Sequence, residues 1–168
     1  MYAARHGVPA LAFSGHHGER VAWNKPWPRH STLYADVAHK LTTTVVAAGK
    51  PFLPDGTWLN VNMPKTSSTC DSVEKFKFVL TKIDMSLQMG LSLFQNFGKP
   101  DVTVCGNKGN LPLEAWIAKK YEKQCVVTVS VGRAGLPGTA ANAGKATQYV
   151  VAKKLSGILT CPKDLGRN

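Results

Sequence analysis

Residues 34–64, YADVAHKLTTTVVAAGKPFLPDGTWLNVNMP, constrain the fold more than any other stretch, because they spell a helix, a tight turn and a buried strand in immediate succession. Tyr34, Val37, Ala38, Leu41, Val45 and Ala48 recur at the spacing that lines one face of an α-helix. Ser31 and Thr32 offer N-caps, and Gly49 followed by Pro51 closes the other end. Pro54-Asp55-Gly56 is turn chemistry, so Asp55 and Gly56 read as structural; a lone carboxylate beside a turn glycine makes a poor metal site. Trp58–Val61 is a short apolar run halted by Pro64, as a strand entering a sheet would be. A similar run, Val8–Phe13, comes earlier. Strand, helix, strand is the grammar of a parallel α/β sheet.

A chain of 168 residues suits one domain with a core of its own. Its 43% apolar and 18% charged content is that of a globular protein rather than a disordered one. The formal charge of +11 favours anionic partners, but no basic run exceeds two residues (Lys119-Lys120 and Lys153-Lys154), so most of these cations are expected to solvate a surface. No stretch approaches the length of a bilayer span, and a membrane is not an expected partner. Cys70, Cys105, Cys125 and Cys161 show neither Cys-x-x-Cys nor Cys/His spacing, which argues against zinc. They suit two disulfides in an oxidising compartment or four buried thiols in a reducing one, with three pairings open. Met1 is followed by Tyr-Ala-Ala-Arg-His-Gly, which contains no apolar targeting segment.

Taken in order, Met1–His6 reads as the end of a helix stopped by Gly7, which implies structure ahead of it. Residues 14–29, SGHHGERVAWNKPWPR, form a long surface loop. Lys75–Thr81 alternates like a half-solvated strand, and Met85–Leu93 also alternates, suggesting a hairpin arm. Leu111–Tyr121 suits a short helix with Pro112 at an early position. Cys125–Val131 is the most strand-like run of all, Gly132–Gly144 reads as a loop, and Val151, Leu155, Ile158 and Leu159 mark a closing helix ended by Pro162. The organisation is therefore a sheet and helix core over 1–64, a strand and arm over 65–110, and a short helix, core strand and closing helix over 111–168.

Ser14, Gly15 and His16 follow the first strand, where open α/β sheets collect ligands, and they combine a hydroxyl, a flexible amide and a proton donor suited to phosphate. The adjacent His17, with Glu19 and Arg20, also fits a solvated turn. Asn60 and Asn62 alternate with Leu59, Val61 and Met63 and so share the opposite face; buried amides usually hold structure together. Asp36 and His39 lie one helical turn apart and read as a surface pair. No paired carboxylate, glycine-rich phosphate loop, Gly-x-Ser-x-Gly elbow or His-Glu-x-x-His is present. The sequence shows no complete catalytic set.

The segments GVPALAFSG, YADVAHKL, PFLPDGTWLNVNMP, FKFVLTKI and CVVTVSVG resemble, in order and content, the later half of the SurE family, in particular its fungal secreted branch. The resemblance covers most of residues 1–161. It implies a Rossmann-like three-layer αβα sheet, here incomplete at the N-terminus, with a projecting β-hairpin arm used in oligomerisation. It also implies a metal-dependent phosphatase or 5′-nucleotidase acting on phosphate monoesters, a divalent cation (Mg or Mn), disulfide-bonded cysteines and a secreted parent. The family's metal ligands, an Asp-Asp-Gly motif, a serine and an asparagine, have no counterparts here. No catalytic residue carries over, and no cation is expected to bind this chain tightly. The expectation is a hydrolase by family whose 168 residues are inactive alone, forming homo-oligomers through an exposed edge; the alternative is a shortened paralogue serving as a basic binding module. Nucleic acid is not expected, on the reading that basic and aromatic residues do not interleave along any one segment.

Overall fold

The computed structural model describes residues 2–16, 18–83, 100–135 and 140–166. In chain order the elements are α1 (Tyr2–Arg5), β1 (Ala10–Gly15), α2 (Arg29–Ala47), β2 (Thr57–Met63), β3 (Lys77–Thr81), α3 (Glu114–Lys120), β4 (Val126–Ala134), β5 (Ala140–Asn142) and α4 (Lys145–Lys154), with short 3₁₀ turns at Val73–Lys75 and Pro162–Asp164. The five strands form one sheet in the order β1-β2-β4-β3, and β5 pairs with the end of β4.

β1 and β2 run parallel, from Ala10 opposite Trp58 to Gly15 opposite Met63, joined by α2 as the strand–helix–strand pattern predicts. The sheet as a whole is mixed rather than parallel, because β2 and β4 are antiparallel while β3 and β4 are parallel. The link from β2 to β3 explains this. Residues 64–76 contain only the 3₁₀ turn, with no helix to carry the chain back across the sheet. A parallel neighbour needs such a crossover, so β3 starts on the edge where β2 ends and runs the other way.

One face of the sheet is apolar. Leu59, Val61 and Met63 of β2, Phe78 and Leu80 of β3, and Val127, Val129 and Val131 of β4 pack against Leu33, Tyr34, Val37, Leu41 and Val45 of α2 and Val151 and Ala152 of α4. On the other face, Ala4 of α1 meets Trp58 and Ile83, while Ile117 of α3 meets Val79, Val126 and Leu165. Helices thus flank both faces, in the three layers of an α/β domain.

Several expectations need correction. β1 lies at 10–15 rather than 8–13. α2 begins earlier than its apolar stripe, with extended Pro28 as N-cap and no side-chain cap; Ser31 and Thr32 fall inside the first turn, and the Ser31 amide donates to the Pro28 carbonyl at 2.9 Å. Pro112 precedes α3, whose N-cap is Leu113. β3 is buried on both faces from Phe78 onward instead of half-solvated, because Phe78 and Leu80 belong to the main apolar core on one side and Val79 meets Ile117 of α3 on the other. Within the span expected to be a loop, 132–134 and 140–142 are strand: β4 continues to Ala134 and β5 pairs with it. Gly132 misled that reading, yet a strand glycine is required here, since a Cβ would collide with the Trp58 indole. α4 stops at Lys154, and Leu159 beyond it forms a bridge with Phe78. The hairpin arm expected at Met85–Leu93 lies outside the described residues.

The cysteines form two disulfides, Cys70–Cys125 and Cys105–Cys161. The first lies in the apolar core and ties the loop after β2 to the start of β4. The second fastens the 101–110 loop to the segment after α4. That loop is wound round Asn107, whose Oδ1 accepts from the Val104 and Gly109 amides (both 3.1 Å) and whose Nδ2 donates to the Val102 carbonyl at 2.9 Å. Two bridges are compatible with an extracellular protein. No helix among the described residues is long and apolar enough to cross a membrane.

Candidate functional site

The site grows from the face of the sheet that sequence alternation marks as polar. Ser14 of β1, Asn60 and Asn62 of β2, and Thr128 and Ser130 of β4 occupy one row across three paired strands, since Ser14 is registered with Asn62, Asn62 with Thr128, and Asn60 with Ser130. Thr81 of β3 continues the row beside Ser130. Ser130, Thr128 and Thr81 are buried, and buried hydroxyls need partners. Thr81 Oγ1 and Ser130 Oγ lie 2.7 Å apart.

The partner that organises the row is Glu114, the first residue of α3. Its Oε2 accepts from Asn60 Nδ2 at 2.9 Å, Ser130 Oγ at 2.8 Å and Asn62 Nδ2 at 3.4 Å. A carboxylate at a helix start also faces the positive end of the helix dipole. Asn60 and Asn62 therefore dock α3 on the sheet.

A cavity of about 1030 Å³ opens beside this row, at the carboxyl ends of β1 and β2. Ser14, His16 and Asn62 line its sheet side, the Lys65–Thr69 loop its rim, and Glu114, Lys119 and Lys123 its α3 side. The His16 amide donates to the Met63 carbonyl at 3.0 Å, fixing the turn out of β1. Gly15, on the opposite face, is pressed against the Tyr34 ring, where a Cβ would come within 2.6 Å of Cε2. Ser14 and His16 thus reach the cavity and Gly15 serves packing; His17 lies outside the described residues. Tyr34 Oη donates to the Pro64 carbonyl at 2.8 Å and ties α2 to the cavity rim.

The other expected positions lie elsewhere. Asp55 and Gly56 form a turn at the opposite edge, with the Thr57 amide donating to the Pro54 carbonyl at 3.0 Å and Gly56 at φ 67°. Asp36 and His39 are exposed on α2. Near the rim, Asp71 is held below the usual carboxylate range by the hydrogen bond from Lys75, whose Nζ is 2.7 Å away. Glu74 is lowered as well, first by its own backbone amide and then by the Ser72 side chain.

Sequence reasoning passed over Glu114, Thr81, Thr128 and Ser130. It also passed over a second cluster in which Asp101 accepts from Gln148 Nε2 (2.9 Å) and Lys82 Nζ (3.2 Å), while Gln148 Oε1 accepts from the Val102 amide (2.8 Å). That cluster fastens α4 to the 101–110 loop.

The divalent cation implied by the family resemblance would need ligands gathered from the described residues. Among them no three or more His, Cys, Asp or Glu side chains come together. The carboxylate at the centre of the row is already committed, with Oε2 taking three donors. Compared with protein-family models, curated proteins and solved structures, the chain matches none.

Proposed function

We propose that this chain is the later part of a SurE-like phosphatase or nucleotidase scaffold, binding phosphate monoesters without hydrolysing them on its own. The observation that carries the reading is the cavity at the carboxyl edge of parallel β1 and β2, where open α/β sheets bind ligands. Its chemistry suits an anion with a polar body. Lys65, Lys119 and Lys123 outnumber the carboxylates of Glu114 and Glu122 in its lining, Thr66, Ser67, Ser68 and Thr69 supply hydroxyls, and about 1030 Å³ accommodates a nucleotide-sized molecule. The segments that carry the family resemblance, GVPALAFSG and LPDGTWLNVNMP, build these two strands and the turns around them. Glu114 is occupied in holding α3, which favours binding over catalysis in this chain.

Calorimetric titration with adenosine 5′-monophosphate tests the binding, and release of p-nitrophenol from p-nitrophenyl phosphate with Mg²⁺ or Mn²⁺ tests turnover. Saturable binding that the Lys119→Glu/Lys123→Glu variant weakens at least tenfold, with no turnover above background, is expected. Absence of nucleotide binding would remove the phosphate reading. Metal-dependent turnover by the 168-residue chain would overturn the claim that it lacks a catalytic centre.

A further inference from the structure

After Glu19, the loop from β1 and the first residue of α2 carry Arg20-Val21-Ala22-Trp23-Asn24-Lys25-Pro26-Trp27-Pro28-Arg29, a stretch in which aromatic and basic residues do interleave and no acid occurs. Both tryptophans are presented to solvent, Trp23 at 92% and Trp27 at 79% exposure, far above what a large aromatic ring shows in a packed domain. Local structure holds them there. The Lys25 amide donates to the Ala22 carbonyl at 3.0 Å, which closes a turn with Trp23 at its corner. Trp27 sits between two prolines, and Pro28 has the extended φ −60°, ψ 142° of a polyproline segment. The turn and the flanking prolines restrict the backbone at both tryptophans.

Both ends of the loop are fastened at the cavity rim. His16 lines the cavity, and Arg29 Nη2 donates to the Asp71 carbonyl at 3.1 Å, two residues after rim residue Thr69. We propose that residues 20–29 are a binding element for single-stranded nucleic acid, with bases stacking on Trp23 and Trp27 and the phosphates between them meeting Arg20 and Lys25. Stacking on an exposed ring is tolerant of sequence, and interleaved cations track the backbone. Lys25 stands between the two rings in the sequence, an alternation that matches the repeat of base and phosphate, and the vesicle arm of the test separates a lipid surface. This inference goes beyond the phosphate cavity, and its probe carries no terminal phosphate.

The test is fluorescence anisotropy of a labelled, unphosphorylated dT12 oligonucleotide with the full chain, alongside sedimentation with phosphatidylserine vesicles. dT12 is expected to bind and to quench tryptophan emission. Trp23→Ala/Trp27→Ala should weaken binding roughly tenfold or more at unchanged net charge, given the usual worth of one stacked base. With Arg20 and Lys25 as the two phosphate contacts, log Kd against log salt should have a slope of roughly 1.4, reduced in Arg20→Ala/Lys25→Ala. Both tryptophans are exposed, so thermal melts of the double variant should match the parent. No dT12 binding, equal binding by the double tryptophan variant, or vesicle binding through the tryptophans without dT12 binding would each overturn the proposal.

Discussion

Glu114 is the side chain whose removal should tell most about how α3 is held. In Glu114→Ala, Asn60 Nδ2 and Ser130 Oγ lose acceptors at 2.9 and 2.8 Å, and Asn62 loses a longer contact at 3.4 Å. A hydrogen bond to a charged group contributes about 1.5–3 kcal/mol net. The carboxylate is only half-buried, and water replaces part of each bond, so the low end applies to the two short ones and the total is about 3 kcal/mol. For a chain of this size that is a drop in Tm of about 6–12 °C. Glu114→Gln keeps one acceptor oxygen and should lose about half as much. Urea unfolding of Glu114→Ala, Asn60→Ala and the double variant forms a cycle that isolates one bond, with an expected coupling of about 1.5 kcal/mol. A loss in Glu114→Ala below about 0.5 kcal/mol, the ordinary level of a surface change, would show that the carboxylate does not hold α3 on the sheet.

Two other expectations are more direct. Each disulfide closes a loop spanning 55 or 56 positions, for which loop-entropy arguments give about 4 kcal/mol of stabilisation; guanidinium unfolding of Cys105→Ser/Cys161→Ser should show a loss of that order, and an unchanged midpoint would refute the bridge. Asp71 titrates below the ordinary carboxylate range because Lys75 donates to it, so its contribution to stability is present above that range and lost as pH falls through the lowered value. Carbon-detected NMR titration should show the midpoint returning toward that of a free aspartate in Lys75→Met.

Where the chain repeats a physical period, its sequence discloses the structure. The Val37–Leu41–Val45 stripe of α2 and the Val127–Val129–Val131 run of β4 are buried by the same alternations that betray them. The bounds are harder to read: α2 starts after Pro28, an extended N-cap that offers no side-chain cap, whereas Ser31 and Thr32 look like caps and lie inside the helix. β4 past Val131 is hidden because Gly132 answers to the Trp58 ring and not to strand propensity. The candidate site was half visible. Asn60 and Asn62 announce a polar face, but Glu114 reaches them from 54 and 52 positions away, and no local pattern records that meeting. The same holds for Asp101 and Gln148, which are 47 positions apart.

The two cystine bridges interlace along the chain, since Cys105 falls between Cys70 and Cys125, and Cys125 falls between Cys105 and Cys161. During synthesis from the amino end, Cys70 and Cys105 are both made before either native partner exists. A thiol oxidised at the first opportunity therefore joins the wrong neighbour, and the native pattern is reached by undoing that bond. An environment that shuffles disulfides as well as forming them releases a chain caught at that stage.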